Sequence, residues 1–186
     1  RDAGIPFQVE GDREFYRRRE VVDIVNLVRV IIDPNDHLAL VGFIRSPMVG
    51  VPDAALVPLW QQALPAHMSE LDREPEAMAQ VRDAIAAAAR TVPDDAAGVE
   101  QVAGWEHALT EAARAVASLR RSLAEDAADL FVERLRGLLL SETLEGARYL
   151  GAHRVANLDQ VFRKIFEALT RAGAGPEAVL RELKGR

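Results

Sequence analysis

The sequence predicts a mainly α fold, a helical bundle with one short strand near its N-terminus. Three observations point there. Alanine is abundant while aromatics make up only 5% of the residues, a balance that favours helix over sheet. Between Gly/Pro breaks, apolar residues recur at helical spacing through most of the chain. Strand-like alternation occurs once, in Gly4-Ile5-Pro6-Phe7-Gln8-Val9 ahead of a Glu10-Gly11-Asp12 turn. A lone strand leaves its hydrogen-bonding edges open, so its partner sheet is expected outside this sequence.

The helices follow in order. From Glu14 the pattern becomes helical, and Val21, Val22, Ile24, Val25, Val28, Ile31 and Ile32 form an apolar face too wide for a surface helix, so this first helix should be central. Asp33-Pro34 ends it, because a residue before proline is pushed out of the α region. Asp36 is placed to cap a second helix reaching Phe43 or Ile44. Arg45-Ser46-Pro47 breaks the pattern again, and Asp53 is expected to cap a helix that turns Leu56, Leu59 and Trp60 inward. Residues 65–75 read as a polar loop, and a helix from about Pro75 to Arg90 follows. Val102, Trp105, Leu109, Ala112, Val116, Leu119 and Leu123 alternate spacings of three and four, a heptad seam about three heptads long; it suits a long bundle helix or a coiled-coil dimer. Leu130, Phe131, Leu135, Leu138 and Leu139 mark a further helix that contains Gly137 or ends near it. Val155, Leu158, Val161, Phe162, Ile165, Phe166 and Leu169 form a clean stripe, closed by Gly173-Ala174-Gly175-Pro176, and Pro176 opens a last helix to Leu183.

At 186 residues the chain suits one domain, or one domain with a piece of another. It opens at Arg1 with neither an initiating methionine nor a signal-like segment, and reads as part of something longer. A net charge of -6 argues against a generic polyanion binder, so any nucleic-acid contact should be a local patch. The charge is uneven. Residues 67–100 carry eight acids against three arginines, whereas residues 145–186 carry eight bases against five acids.

Several chemistries find no support. Without cysteine there is no thiol nucleophile, disulfide or cysteine-held cluster. Lys164 and Lys184, the only lysines, stand in no Gly-x-x-x-x-Gly-Lys-Ser/Thr frame, so the piece should not hydrolyse ATP alone. His37, His67, His107 and His153 are isolated from one another and from acids at metal-ligand spacing, so no metal or cofactor is expected. No apolar run approaches the roughly 18 residues of a membrane span; no membrane contact and a cytoplasmic location are expected.

Two features suit DNA. Arg17-Arg18-Arg19 lies at a strand-to-helix junction, where arginine forks and backbone amides together suit phosphate; the alternative is pairing with Glu14, Glu20 and Asp23. The second is the helix–loop–helix from Leu38 to Leu59. Its loop, with Arg45, Ser46, Gly50 and Val51, looks like a hairpin that holds the duplex backbone through amides. Pro52 stands where such a hairpin would have a second glycine and donates nothing, so packing is the alternative role.

These residues resemble one family. Gly4 to Val9, Phe15-Tyr16, Arg18, Glu20-Val21, Asp23, Asp33-Pro34, Asp36, Leu40 and Arg45-Ser46-Pro47 with Gly50 look like superfamily 1 DNA helicases of the UvrD/Rep type. The Arg-Ser-Pro form and Arg154-Val155-Ala156-Asn157-Leu158 resemble the RecB/AddA-like helicase–nuclease subunits in particular. The resemblance implies that residues 1–19 end the second RecA-like motor domain and that residues 20–186 form its inserted helical 2B subdomain. The parent would use ATP and Mg to move 3′-to-5′ on DNA in repair or recombination. By the same resemblance, the insert would contact the duplex backbone and the motor domains and would regulate unwinding, and a nuclease or helicase subunit would be a further partner. Two other roles remain open: a subdomain that docks a partner subunit or the motor core without touching DNA, and a stand-alone helical regulator.

Overall fold

A single helix, α1 (Arg19–Ile32), organises the bundle. Its Val21, Ile24, Leu27, Val28, Val30 and Ile31 are buried, on more than one side of the helix, while Val22 faces out. The computed structural model describes residues 15–73, 76–93, 104–146, 152–171 and 175–183. Among them it has nine helices and no strand. The expected strand at Gly4–Val9, and Glu14 and Val102, lie outside the described residues.

Asp33 leaves the helical region ahead of Pro34 and ends α1 as expected. Asp36 then begins α2 (His37–Ile44), its Oδ1 accepting from the Ala39 amide at 2.9 Å while Oδ2 holds Arg29 Nη2 at 2.6 Å. One carboxylate thus caps α2 and ties it back to α1. Farther along, Gly42 lies against Asn26; an added Cβ would stand 2.3 Å from the Asn26 amide nitrogen. Pairing of 29 with 36 and of 26 with 42 makes α1 and α2 an antiparallel hairpin, and the missing side chain at Gly42 lets them close.

Two short helices follow, α3 (Asp53–Gln61) and α4 (Leu64–Ser69), with Ala63 left-handed between them at φ 54°. Here the structure corrects two expectations. Asp53 is the first residue of α3 and makes no cap bond; the cap position belongs to Pro52. Residues 64–69 are helical, with Leu64, Pro65 and Met68 buried, where a polar loop was expected. Six residues are too few to show a helical period, and a proline in the first turn, which favours helix starts, reads equally well as a breaker.

The alanine-rich α5 (Ala77–Ala89) packs on α3 and α4 and then against α6 (Trp105–Glu125). Trp105, Leu109, Ala112, Ala113, Val116 and Leu119 of α6 are buried. Because α6 also packs on α1 and α7, its heptad seam is filled within the chain. The chain continues through α7 (Ala128–Gly146), α8 (Ala152–Thr170) and α9 (Glu177–Leu183). Gly137 lies inside α7 and does not end it. Phe131 and Leu135 point inward and Leu130 outward; α8 buries Leu158, Val161, Phe162 and Ile165 and leaves Phe166 exposed. Through contacts with α2, α6, α8 and α9, α1 joins both halves of the chain around one core.

Candidate nucleic-acid interface

The three arginines at the start of α1 have different surroundings. Arg17, Arg18 and Arg19 are all exposed. Arg18 donates from Nη1 to Asn157 Oδ1 on α8 at 2.5 Å, and the Asn157 amide donates to Glu20 Oε1 at 2.8 Å. Arg19 acts electrostatically on Asp23, one turn along. Burial raises the Asp23 carboxyl above the usual range; Arg19 pulls it back down and Glu20 adds to the rise. The triplet therefore divides, with Arg18 and Arg19 facing groups of the chain itself and Arg17 exposed beside them.

The Arg45–Val51 loop sits at the end of the α1–α2 hairpin where α1 begins, because the two helices run antiparallel. The fold thus brings both predicted patches to one end of that pair. Arg45 makes a two-point contact with Asp53, Nε to Oδ1 at 2.6 Å and Nη2 to Oδ2 at 3.0 Å. Ser46 is buried; its carbonyl accepts from the amides of Val49 at 3.0 Å and Gly50 at 2.8 Å, and its Oγ has no partner among the described residues. Val51, also buried, donates its amide to the Ile44 carbonyl at 2.9 Å. Gly50 takes φ 71°, a conformation that glycine adopts readily. The amides of Val49, Gly50 and Val51 thus bond within the chain, and Pro52 has none. A hairpin that held phosphate through these amides would first have to break those bonds.

Two residues that periodicity could not single out prove central. Arg120 is 5% exposed on α6. Its Nη1 donates to the Met68 carbonyl at 2.6 Å and lies 3.2 Å from Asp72 Oδ1, and Nη2 donates to the Val30 carbonyl at 2.9 Å. The amide that would serve Val30 in a continued helix is that of Pro34, which has no N–H. Burial lowers the Arg120 pKa, and the Asp72 carboxylate partly restores it. Arg120 follows the seam residue Leu119, and a lone arginine beside a seam gives no sequence signal of burial. Asn157 is the other, 7% exposed, inside the Arg154–Leu158 segment noted for its resemblance.

Among the described residues no group of three or more His, Asp or Glu is placed to hold a metal, and no helix is long and apolar enough to cross a membrane. The chain is 42% identical over 53 residues to the ATP-dependent DNA helicase UvrD1 of Mycobacterium tuberculosis, a match covering 28% of this chain and 7% of that protein. Over part of its length, this chain is similar to UvrD- and PcrA-type DNA helicases. The ATP-dependent DNA helicase PcrA of Staphylococcus epidermidis is 30% identical over 70 residues, 38% of this chain and 10% of the relative. PcrA of Staphylococcus aureus is 29% identical over 75 residues, 40% of this chain and again 10% of the relative. The matched part is thus a tenth or less of each helicase. No protein-family model and no solved structure matches the chain.

Proposed function

We propose that this chain is the 2B-type helical insert of an ATP-dependent superfamily 1 DNA helicase, with residues 1–19 leading out of the second motor domain and residues 20–186 forming the insert. The observation that carries the reading is the segmental similarity to UvrD1 and PcrA, found in a chain whose described residues are mainly helical. ATP and Mg would be held by the parent's motor, and a RecB/AddA-like helicase–nuclease is the parent that the Arg-Ser-Pro loop suits best. In this role the insert works in the cytoplasm, does no chemistry, and touches duplex phosphate through Arg17 and its neighbours with strong salt dependence.

Fluorescence anisotropy with a labelled duplex at low salt tests the DNA contact. Arg17→Glu should weaken binding several-fold and reduce the salt slope by about one. Asp53→Asn should strengthen binding, because it releases Arg45 from a carboxylate. A flat titration at low salt, or indifference to both substitutions, would remove DNA contact from the reading.

A second role is favoured by a specific observation. Between α2 and α3 an open apolar groove of about 420 Å³ is lined by Val41, Leu56, Val57, Trp60 and Gln61. Leu38 and Val57 are 82% and 65% exposed. Such a surface suits protein docking better than phosphate, and under this reading the insert holds the motor core or a partner subunit. Leu38→Glu with Val57→Glu would then abolish docking and leave duplex affinity unchanged.

A further inference from the structure

The start of α1 is bound to the far end of the chain through one side-chain amide. Arg18, the cap residue of α1, and Glu20, in its first turn, carry opposite charges on the same helix start. Asn157 lies between them. Its Oδ1 accepts from the guanidinium at 2.5 Å and its Nδ2 donates to the carboxylate at 2.8 Å. A side-chain amide is suited to this because it presents an acceptor and two donors on one planar carbon. Aspartate in its place would set a carboxylate against Glu20, and an apolar residue would meet neither group.

Other contacts converge on the same place. Tyr16 donates its hydroxyl to the Glu182 carbonyl on α9 at 3.1 Å. The Lys164 ammonium of α8 stands 5.3 Å from the centre of the Tyr16 ring and 5.9 Å from that of Phe15, and the two rings meet edge to face. Phe15 is buried and anchors this segment by apolar contact, while Arg18 is solvent-exposed. Depth thus comes from the aromatic residue, and direction from the polar bridge above it.

We propose that Arg18, Asn157 and Glu20 form a releasable latch. Closed, it fixes the direction of the first turn of α1, and so of the chain leading into it, relative to α8. Open, it frees the Arg18 guanidinium for an anion and loosens the hydrogen bonds of the first turn to the Arg18 carbonyl, while Phe15 and Val21 stay anchored in the core. Charge-assisted hydrogen bonds at an exposed arginine are strong enough to hold and weak enough to open locally. The latch rests on the geometry around Asn157 and does not need the DNA reading.

Residue-resolved amide hydrogen exchange on the whole chain tests it. The reporters are the Val21 and Val22 amides, bonded to the Arg18 carbonyl at 3.0 and 2.9 Å, with Val116 of α6 as the core reference. Asn157→Leu keeps the branched shape and removes both polar contacts; it should speed exchange at Val21 and Val22 about tenfold or more and leave Val116 unchanged. Arg18→Gln, at an exposed position, should do the same, and the double variant should add little because both act through one bridge. The latch is overturned if Val21 and Val22 exchange at the wild-type rate in Asn157→Leu, if the two substitutions add independently, or if Val116 accelerates equally, which would make Asn157 an ordinary core residue.

Discussion

Removing Arg120 should be among the most damaging single changes to this bundle, and its geometry says why. One guanidinium serves the Val30 carbonyl in the last turn of α1 and the Met68 carbonyl in the last turn of α4, beside Asp72. Such carbonyls lie beyond the reach of their own helix's amides and need outside donors. They also sit at the negative ends of two helix dipoles, where a cation is favoured. In Arg120→Ala each orphaned carbonyl should cost about 1–3 kcal/mol, and loss of the buried stem adds a cavity cost. Relief of the guanidinium's own desolvation, including an Nε with no partner among the described residues, offsets part of this. The net expectation is a loss of about 3–5 kcal/mol, the two carbonyl penalties and the cavity cost less that offset. Against a total of about 5–15 kcal/mol for a domain, that is a large share. Arg120→Met keeps most of the apolar stem and should lose about 2–3 kcal/mol, since only the donors go. Urea unfolding followed by circular dichroism, with the slope checked for two-state behaviour, measures both. If Arg120→Met were as stable as wild type, the two carbonyls would not need this donor and the reasoning would fail.

Two further expectations concern α1. Gly42→Ala should destabilise by about 1 kcal/mol, although alanine is the better helix former, because its Cβ would stand 2.3 Å from the Asn26 amide nitrogen and 2.8 Å from its Cγ. Adding Asn26→Ala should recover most of that loss in thermal unfolding; no recovery would place the strain elsewhere. Asp23 carries a raised carboxyl pKa, chiefly through burial. Between its ordinary value and that raised value the folded state binds more protons than the unfolded one, so this group's contribution to stability falls as pH rises through the window. Asp23→Asn should therefore be more stable than wild type at neutral pH, with the gap closing as pH drops to about 4 or below; a gap that widened on acidification would reverse the assignment.

Much of the fold was legible in the sequence because its signals are local. Asp33-Pro34 ended α1 through a steric rule involving two adjacent residues, and Asp36 capped α2 through an amide three positions on. The stripes of α6 and α8 repeat over about four turns or more, long enough for the period to show. The failures were short or ambiguous. Residues 64–69 were too few to carry a period, and Asp53 has the composition of a cap yet gives its carboxylate to Arg45. The candidate interface was legible only as composition: three arginines and a loop were visible, but not what each arginine faces.

The sequence by itself determined the helical class, most of the helix boundaries and the apolar face of the central helix, since propensity, capping and period act within a few residues. Only the tertiary structure decided that Arg120 is buried across two helix ends, that Asn157 joins Arg18 to Glu20, and that the loop amides of Val49, Gly50 and Val51 bond inside the chain. The first two depend on groups that meet from 48 to 139 residues apart in sequence. For a polar side chain, whether it serves the protein or remains open to a ligand is set by the partners that folding brings to it.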